Sequence, residues 1–374
     1  MEERAFWLAW SQLPGIGPIL LQRLNRHFGK LAVAWGASVQ ALEAVSGLGK
    51  QSAEAIARAR SQIQPLDFLE QHLQENPCFW TPADADYPRL LLETPDPPSV
   101  LYYRGEVNPS ELQGQVPLVS IVGTRDPTAY GKSWTRRLAM SLTQRGFTVV
   151  SGLAEGIDAE AHQSCLQASG RTLAVLGTGV DVVYPWRNRR LYQEMIATGL
   201  ALSEYPSGTG PDRTHFPRRN RIIAGLSRAV LVMEAGSKSG ALITARYANE
   251  YGRDIYVLPG SLDNLRSQGC LQLANQGAEL ILGEAHLLSA LGAMPPLTVV
   301  ESAPPPIPDD LAPDLKQILQ TIVELGKGAS VDAVPLDAIV LSTNLPPGDV
   351  SSALLQLELM GQVVQVPGMR YRRC

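Results

Sequence analysis

Apolar positions change their spacing along this chain, and each spacing predicts a different kind of element. Near the start, AFWLAWSQL and ILLQRLNRHF place apolar residues every three or four positions, which predicts amphipathic helices up to about residue 62. Two short turns interrupt them, LPGIGPILLQRL (13–24) and VSGLGKQSAEAI (45–56). Each reads apolar-x-Gly-apolar-Gly before a helical run, so the pair has the form of an internal duplicate. Between residues 113 and 283 the pattern becomes short β-rich runs that end in glycine or serine. They are LVSIVG (118–123), FTVVSG (147–152), TLAVLG (172–177), AVLVMEAG (229–236) and DIYVLPG (254–260), each followed by a helical pattern. Strands alternating with helices predict an α/β fold with a parallel sheet covered on both faces. The last stretch predicts a helix (LKQILQTIVELG), a second helix after LSTNLP, a third (VSSALLQLELMG) and a short hairpin (QVVQVPGMRYRR).

Composition divides the chain in the same places. At 374 residues it is too long for one ordinary core. The expected parts are a helical domain (1–62), an α/β domain (63–290, core 113–283), a Pro-rich linker (291–313) and a terminal domain (314–374). The linker carries ESAPPPIPDDLAP, with five prolines. The two glycine turns resemble the helix-hairpin-helix module, in which paired glycines bring backbone N–H groups to a phosphate. The alternative is a pair of tight turns in a small helical domain. The terminal order of elements resembles a winged helix. That domain has a charge of −1, with its base concentrated at Arg370, Arg372 and Arg373, so a protein contact suits it as well as a duplex.

Charge sharpens the picture. The net value of −4 hides an uneven distribution. Residues 113–283 hold 18 Lys+Arg against 13 Asp+Glu, and residues 1–60 hold seven against four. Residues 61–112 hold two against nine, so acid is concentrated away from the loops of the expected sheet. The four cysteines (Cys78, Cys165, Cys270, Cys374) are far apart and show no CxxC spacing, which suggests reduced thiols of a cytoplasmic protein without a zinc site. The first ten residues hold two acids and no basic run, so no signal peptide is expected, and no run of 18 apolar residues predicts a membrane span.

Several catalytic motifs fail on inspection. DPTAYGKS (126–133) nearly forms a phosphate-binding P-loop, but Asp126 replaces its first glycine and Pro127 removes an amide donor. GTGVDV (177–182) has Val182 where a dinucleotide fingerprint needs glycine. Ser151, Asp158 and His162 could be imagined as a hydrolase set, yet no GxSxG elbow exists, and Asp158 fits better near a helix N-terminus. The five histidines show no metal-ligand spacing. No cofactor and no catalytic residue is expected.

The small residues at the strand ends suit a different chemistry. Loops of Gly, Ser and Thr at the carboxyl ends of parallel strands donate backbone N–H groups to phosphates. Here they are Gly123-Thr124-Arg125, Ser151-Gly152, Gly177-Thr178-Gly179 and the 236–240 loop with Ser239 and Gly240. FPRRNRIIAGLS (216–227) adds the rest: Arg219 and Arg221 to pair with phosphates, Asn220 to meet a base edge or fix a loop, and Phe216, with Arg213 nearby, to stack on an unpaired base. The competing reading makes Phe216 a core ring and the arginines a solvated helix face.

The ordered set SIVGTR, SGLAEGIDAEAH, VLGTGVDVVYP, SEYPSGT, FPRRNRIIAGLS, SGALITARYANEYGR and YVLPG resembles the DNA processing protein A family, DprA or Smf, and so do the flanks, over nearly the whole chain. The resemblance implies an extended Rossmann-like fold with N-terminal helices and a C-terminal winged helix. It implies a homodimer without enzymatic activity that binds single-stranded DNA during natural transformation, shields it and loads the recombinase RecA. Carried over by motif, Gly123, Thr124 and Arg125 would hold phosphate, with Ser151 and Gly152 beside them. Arg213 and Phe216 would supply charge and stacking. Arg219, Asn220 and Arg221 would line the groove, and Ser239 and Gly240 would close it. The family's asparagine after Gly269 is absent, the chain having CLQLA (270–274) instead, so no contact is carried over to that loop. The alternative is a nucleotide-processing enzyme of the lysine-decarboxylase-like group. Its PGGxGTxxE loop corresponds here to EAGSKSGALIT, with no glutamate to act on a sugar.

Overall fold

The computed structural model describes residues 2–292, 311–326, 334–343, 345–360, 362–366 and 369–373. It divides into two compact units, Met1–Leu297 and Thr298–Cys374. Most of the expected Pro-rich linker, residues 293–310, lies outside the described residues.

The first unit opens with six helices: α1 (Glu2–Ser11), α2 (Pro18–Phe28), α3 (Leu31–Gly36), α4 (Val39–Glu43), α5 (Lys50–Arg60) and α6 (Pro65–Glu75). The duplicated turns work through backbone conformation. Gly15 and Gly47 turn the chain at φ of +75° and +96°, and Gly17 and Gly49 then stand as N-caps of α2 and α5. Trp10, Leu21, Leu24, Leu42 and Ile56 close a core beneath them. The helices also pack onto the sheet-bearing part of the unit. Ala5 and Leu8 of α1 share a second cluster with Leu69, Phe79 and Tyr102, which lie beyond the expected boundary at residue 62.

The sheet elements come next: β1 (Phe79–Trp80), α7 (Arg89–Leu92), β2 (Leu101–Gly105), α8 (Pro109–Leu112), β3 (Leu118–Val122), α9 (Ala129–Gln144), β4 (Thr148–Ser151), α10 (Ile157–Gln167), β5 (Thr172–Leu176), α11 (Arg189–Ile196), β6 (Leu200–Ser203), α12 (His215–Leu226), β7 (Ala229–Val232), α13 (Ala241–Glu250), β8 (Asp254–Val257), α14 (Gln268–Asn275), β9 (Glu279–Leu280) and α15 (Glu284–Gly292). All five predicted strands form. The prediction missed β6 and the two-residue β9 in the same stretch; LALS of β6 has no glycine at its end, the signal that marked the other runs.

Sheet order is β1-β2-β6-β5-β4-β3-β7-β8-β9, with β1 and β2 antiparallel at one edge and the other seven strands parallel. Side chains of β3 alternate between layers. Val119 and Ile121 pack with Leu138 of α9 and Ile157 of α10. Leu118 and Val122 pack with Ile222 of α12 and Ala245 of α13. From β3 to β6 the chain winds toward one edge, and it then returns to lay β7 on the other side of β3. The switch between β3 and β7 leaves a crevice at their carboxyl ends, the usual ligand position in such sheets.

The second unit comprises α16 (Pro313–Gly326), β10 (Val334–Pro335), α17 (Leu336–Thr343), α18 (Pro347–Leu359), β11 (Val363–Val366) and β12 (Arg370–Arg373). Its antiparallel sheet has the order β10-β12-β11, and Ile318, Leu319, Ile339, Leu354 and Leu357 fill the core. This is a winged helix, with one correction to the sequence reading. The second helix precedes the NLP turn, because Pro346 and Pro347 can begin a helix but cannot continue one.

Candidate nucleic-acid interface

A cleft of about 970 Å³ occupies the switch point. Loops after β3, β4, β5, β6, β7 and β8 and the first turns of α12 line it. Of the residues expected from sequence, Gly123, Thr124, Arg125, Arg213, Phe216, Arg219, Asn220, Ser239 and Gly240 line the cleft, and Ser151, Gly152 and Arg221 do not.

The wall is built by close packing. Gly123 lies against Ile157, where a Cβ would come within 2.5 Å of that side chain. The next residue, Thr124, donates its N–H to the Glu234 carbonyl at 2.7 Å, tying the β3 loop to the β7 loop. Phe216 sits over Gly177, where a Cβ would approach its ring to 2.8 Å. The Tyr184 ring lies 5.4 Å from Phe216, and the Arg125 guanidinium stands 5.9 Å from the same ring. Asn220 fixes a loop: its amide donates to the Gly240 carbonyl at 3.1 Å. Ser239 Oγ accepts the Ala241 N–H at 3.3 Å, just before α13 begins.

Around this frame Arg125, Arg213 and Lys238 are exposed, and none of them has an acidic partner among the described residues. Arg266 is also at the cleft but is tied to Asp126. The sequence reading missed Tyr184, Lys238 and Arg266. Lys238 carried a signal, a lone cation within a Gly/Ser loop, while Tyr184 carried none beyond its place in VVYP.

Three expectations require correction. The sequence pattern assigns Arg219 and Arg221 to phosphates, yet both are 4% exposed. Arg219 donates to the Gly152 carbonyl at 2.6 Å and to the Val175 carbonyl, so it joins the ends of β4 and β5 to α12 beneath the cleft. Burial pushes its pKa down to about 10, with the Asp158 carboxylate opposing. Arg221 points away, donating to the Glu204 carboxylate at 2.6 Å and the Asp96 carbonyl at 2.7 Å. The reason is geometric. Residues two apart on a helix face opposite ways, and α12 is covered on both sides. Ser151 is corrected too: its hydroxyl donates to the Ile121 carbonyl at 2.6 Å inside the sheet. Gly152 gives its N–H to Asp158 at 3.1 Å, which leaves no donor for a ligand.

The remaining candidate chemistries are also decided by partners. At the near-P-loop, the buried Glu234 carboxylate accepts the Thr128 N–H at 2.8 Å and the Thr128 hydroxyl at 2.6 Å. A carboxylate therefore already occupies the N-terminus of α9, where a phosphate would bind. His162 is fully buried and shares a 2.7 Å hydrogen bond with Thr172, and burial with the nearby Arg219 charge lowers its pKa to about 3. Ser151 gives its hydroxyl to the Ile121 carbonyl and lies beside Asp158, but His162 bonds Thr172 and neither of them, so the three form no triad.

A doubly wound sheet with a cation- and aromatic-lined crevice at its switch point defines a Rossmann-like binding body. Comparison with known proteins narrows that class. Residues 78–292 match the family of DNA recombination-mediator protein A, and residues 302–369 match the DprA winged helix domain. Protein Smf of Synechocystis is 52% identical, covering 99% of both chains. Protein Smf of Escherichia coli is 38% identical over 82% of this chain and 83% of its own. The X-ray structure of DNA processing protein A from Streptococcus pneumoniae superposes with a TM-score of 0.67 at 34% identity, covering 76% of this chain and 97% of that one. The same protein from Helicobacter pylori, for which a single-stranded DNA binding mode is described, gives a TM-score of 0.51 at 33% identity, covering 57% and 95%. The chain belongs to the DprA family.

Proposed function

We propose that this protein binds single-stranded DNA in the switch-point cleft, shields strands taken up during natural transformation and loads RecA onto them, acting as a homodimer and without catalysis. One observation carries the binding reading. Phe216 is held at the cleft wall by Tyr184 and Gly177, with the unpaired cations Arg125, Arg213 and Lys238 around it. A ring beside uncompensated positive charge suits a strand whose bases are free to stack and whose phosphates need neutralising. A duplex keeps its bases inside and has no use for the ring. Family membership and the binding mode described for the Helicobacter pylori relative support the same conclusion. RecA loading and dimerisation rest on the family resemblance.

The test compares a labelled single strand, the same sequence as a duplex, and free nucleotides, by fluorescence anisotropy. Single strands should bind far more tightly than either competitor. Preference for free nucleotides would favour a nucleotide-processing enzyme, and preference for duplex would move the activity to the winged helix. A second assay follows RecA filament formation on strands coated with single-strand-binding protein. The protein should accelerate it, and no acceleration at saturating protein would remove the loading role.

A further inference from the structure

We propose that Trp186 and Arg189 form a second platform for the strand, outside the cleft, so that single-stranded DNA leaves the crevice over Tyr184 and continues onto the loop between β5 and α11. This rests on the cleft binding single strands. Trp186 is 68% exposed, whereas Trp7, Trp10 and Trp80 are buried and Trp35 and Trp134 are half-buried. Exposing an indole forgoes the largest apolar burial a side chain offers, which suggests a surface held ready for a partner. The ring is not loose. The Arg189 guanidinium stands 4.5 Å from its centroid, which orients one face and leaves the other open.

The charge nearby chooses the partner. Arg187 and Arg190 have carboxylate partners, Glu155 at 3.8 Å and Glu194 at 2.8 Å. Arg189 has none among the described residues, so its charge is available to a phosphate beside a base stacked on the indole. The platform is also continuous with the cleft. The Tyr184 ring touches Phe216 at one end, and Trp186 comes two residues later. A small cavity of about 70 Å³, lined by Arg125, Tyr184, Pro185 and Phe216, leads from the crevice toward the loop. The loop itself is anchored, because the Asn188 amide donates to the Leu153 carbonyl at 2.9 Å, at the end of β4. Phe216 and Tyr184 are in contact at the crevice and Trp186 follows Tyr184 two residues along the same anchored loop, a frame that loses little entropy on binding.

The experiment measures affinity for oligothymidylates of increasing length in the full-length wild type, Trp186→Ala, Trp186→Phe, Arg189→Ala and Phe216→Ala. In the wild type, affinity should keep rising after the cleft is filled. Trp186→Ala should leave the shortest bound oligomers unaffected and weaken the long ones by roughly five- to a hundred-fold, the loss of one stacked base. Trp186→Phe should recover most of that loss. Arg189→Ala should also act only on long oligomers, with a smaller salt dependence. In the wild type, long oligomers should quench a tryptophan emission component that is missing in Trp186→Phe. If Trp186→Ala binds every length like wild type while Phe216→Ala is weakened, the platform is wrong and the cleft stands. Equal weakening at all lengths would place the ring's effect within the cleft and also sink the proposal. Altered sedimentation with unchanged DNA affinity would make Trp186 a protein contact instead. If Phe216→Ala binds normally at every length, the reading of the cleft itself fails.

Discussion

Arginine is a poor residue to bury, and α12 buries two. Each is tolerated because it has partners of its own, Arg219 two strand-end carbonyls at Nη1, although its Nε stays without one among the described residues, and Arg221 the Glu204 carboxylate and Asp96. Arg221→Ala would leave the buried Glu204 carboxylate, among the described residues, with only the longer, 3.4 Å contact to the exposed Arg218. We expect it to lower stability by about 3–5 kcal/mol, with the salt dependence of DNA binding unchanged in whatever protein remains folded. Arg125→Ala and Arg213→Ala should behave oppositely. Their melting temperatures should match wild type, affinity should fall for all sequences alike, and the salt slope should shrink by about 0.7 for each phosphate no longer neutralised. Phe216→Ala should lose about 1–3 kcal/mol of affinity with the slope intact. Melts and salt titrations on the four variants check all of this, and a silent Arg213→Ala would remove the cleft's charge from the account. His162 allows a pH test. Its pKa falls from 6.5 unfolded to about 3 folded, so the stability of its buried neutral ring is complete above pH 6.5 and is lost as pH falls toward 3. The slope approaches about 1.4 kcal/mol per pH unit within that window. Asp158, its pKa raised chiefly by burial, acts in the opposite sense at the acidic end. Urea unfolding across this range should be flatter in His162→Asn, and parallel profiles would contradict the assignment.

At the scale of elements, the strand ends show how similar glycines serve packing. Gly123, Gly152 and Gly177 each end a strand, and each lies against a side chain: Ile157, Arg219 and Phe216. Their missing Cβ atoms make room for the protein's own groups, two of which line the cleft. The N-terminus of α9 obeys the same logic. Its dipole and free amides would welcome a phosphate, but Glu234 reaches across from the end of β7 and takes that position. We therefore expect no ATP or GTP hydrolysis. Phosphate release that disappears in Lys132→Ala would contradict this.

For the whole molecule, the cleft's positive surround coexists with a net charge of −4 because the acids lie elsewhere in the chain. The acid-rich segment before the sheet is structural all the same. Tyr87 and Leu101 belong to the core cluster beneath α12, and Asp96 pairs with Arg221. A fragment confined to residues 113–283 holds every strand-end loop of the cleft but lacks these partners, and we expect it not to fold cooperatively. A fragment of residues 1–292 should fold and bind single strands with near wild-type affinity. Circular dichroism melts and anisotropy on the two fragments decide this, and a cooperative melt from the shorter one would show the edge strands to be dispensable.

The alternation of strands and helices, the duplicated glycine turns, the winged helix and the position of the cleft at the strand ends were legible in the amino-acid sequence. Such patterns are set by neighbours within a few residues, and the handedness and winding of parallel sheets then constrain where a crevice can form. The sequence also identified Phe216, Arg125 and Arg213 as candidates, because each lies in a strand-end loop or a first helical turn, where a parallel sheet places its ligands. It could not say which of the adjacent polar residues 218–221 face the cleft. Arg219 is held by carbonyls 67 and 44 positions away, and Arg221 by a carbonyl 125 positions away. Those distances close only when the sheet is assembled. The same closure carries Glu234 onto the α9 N-terminus and brings Tyr184, two residues before Trp186, against Phe216. Whether a charged side chain binds a ligand or the protein itself was decided by tertiary structure, because the two uses require the same chemistry and differ only in which partner stands within hydrogen-bonding reach.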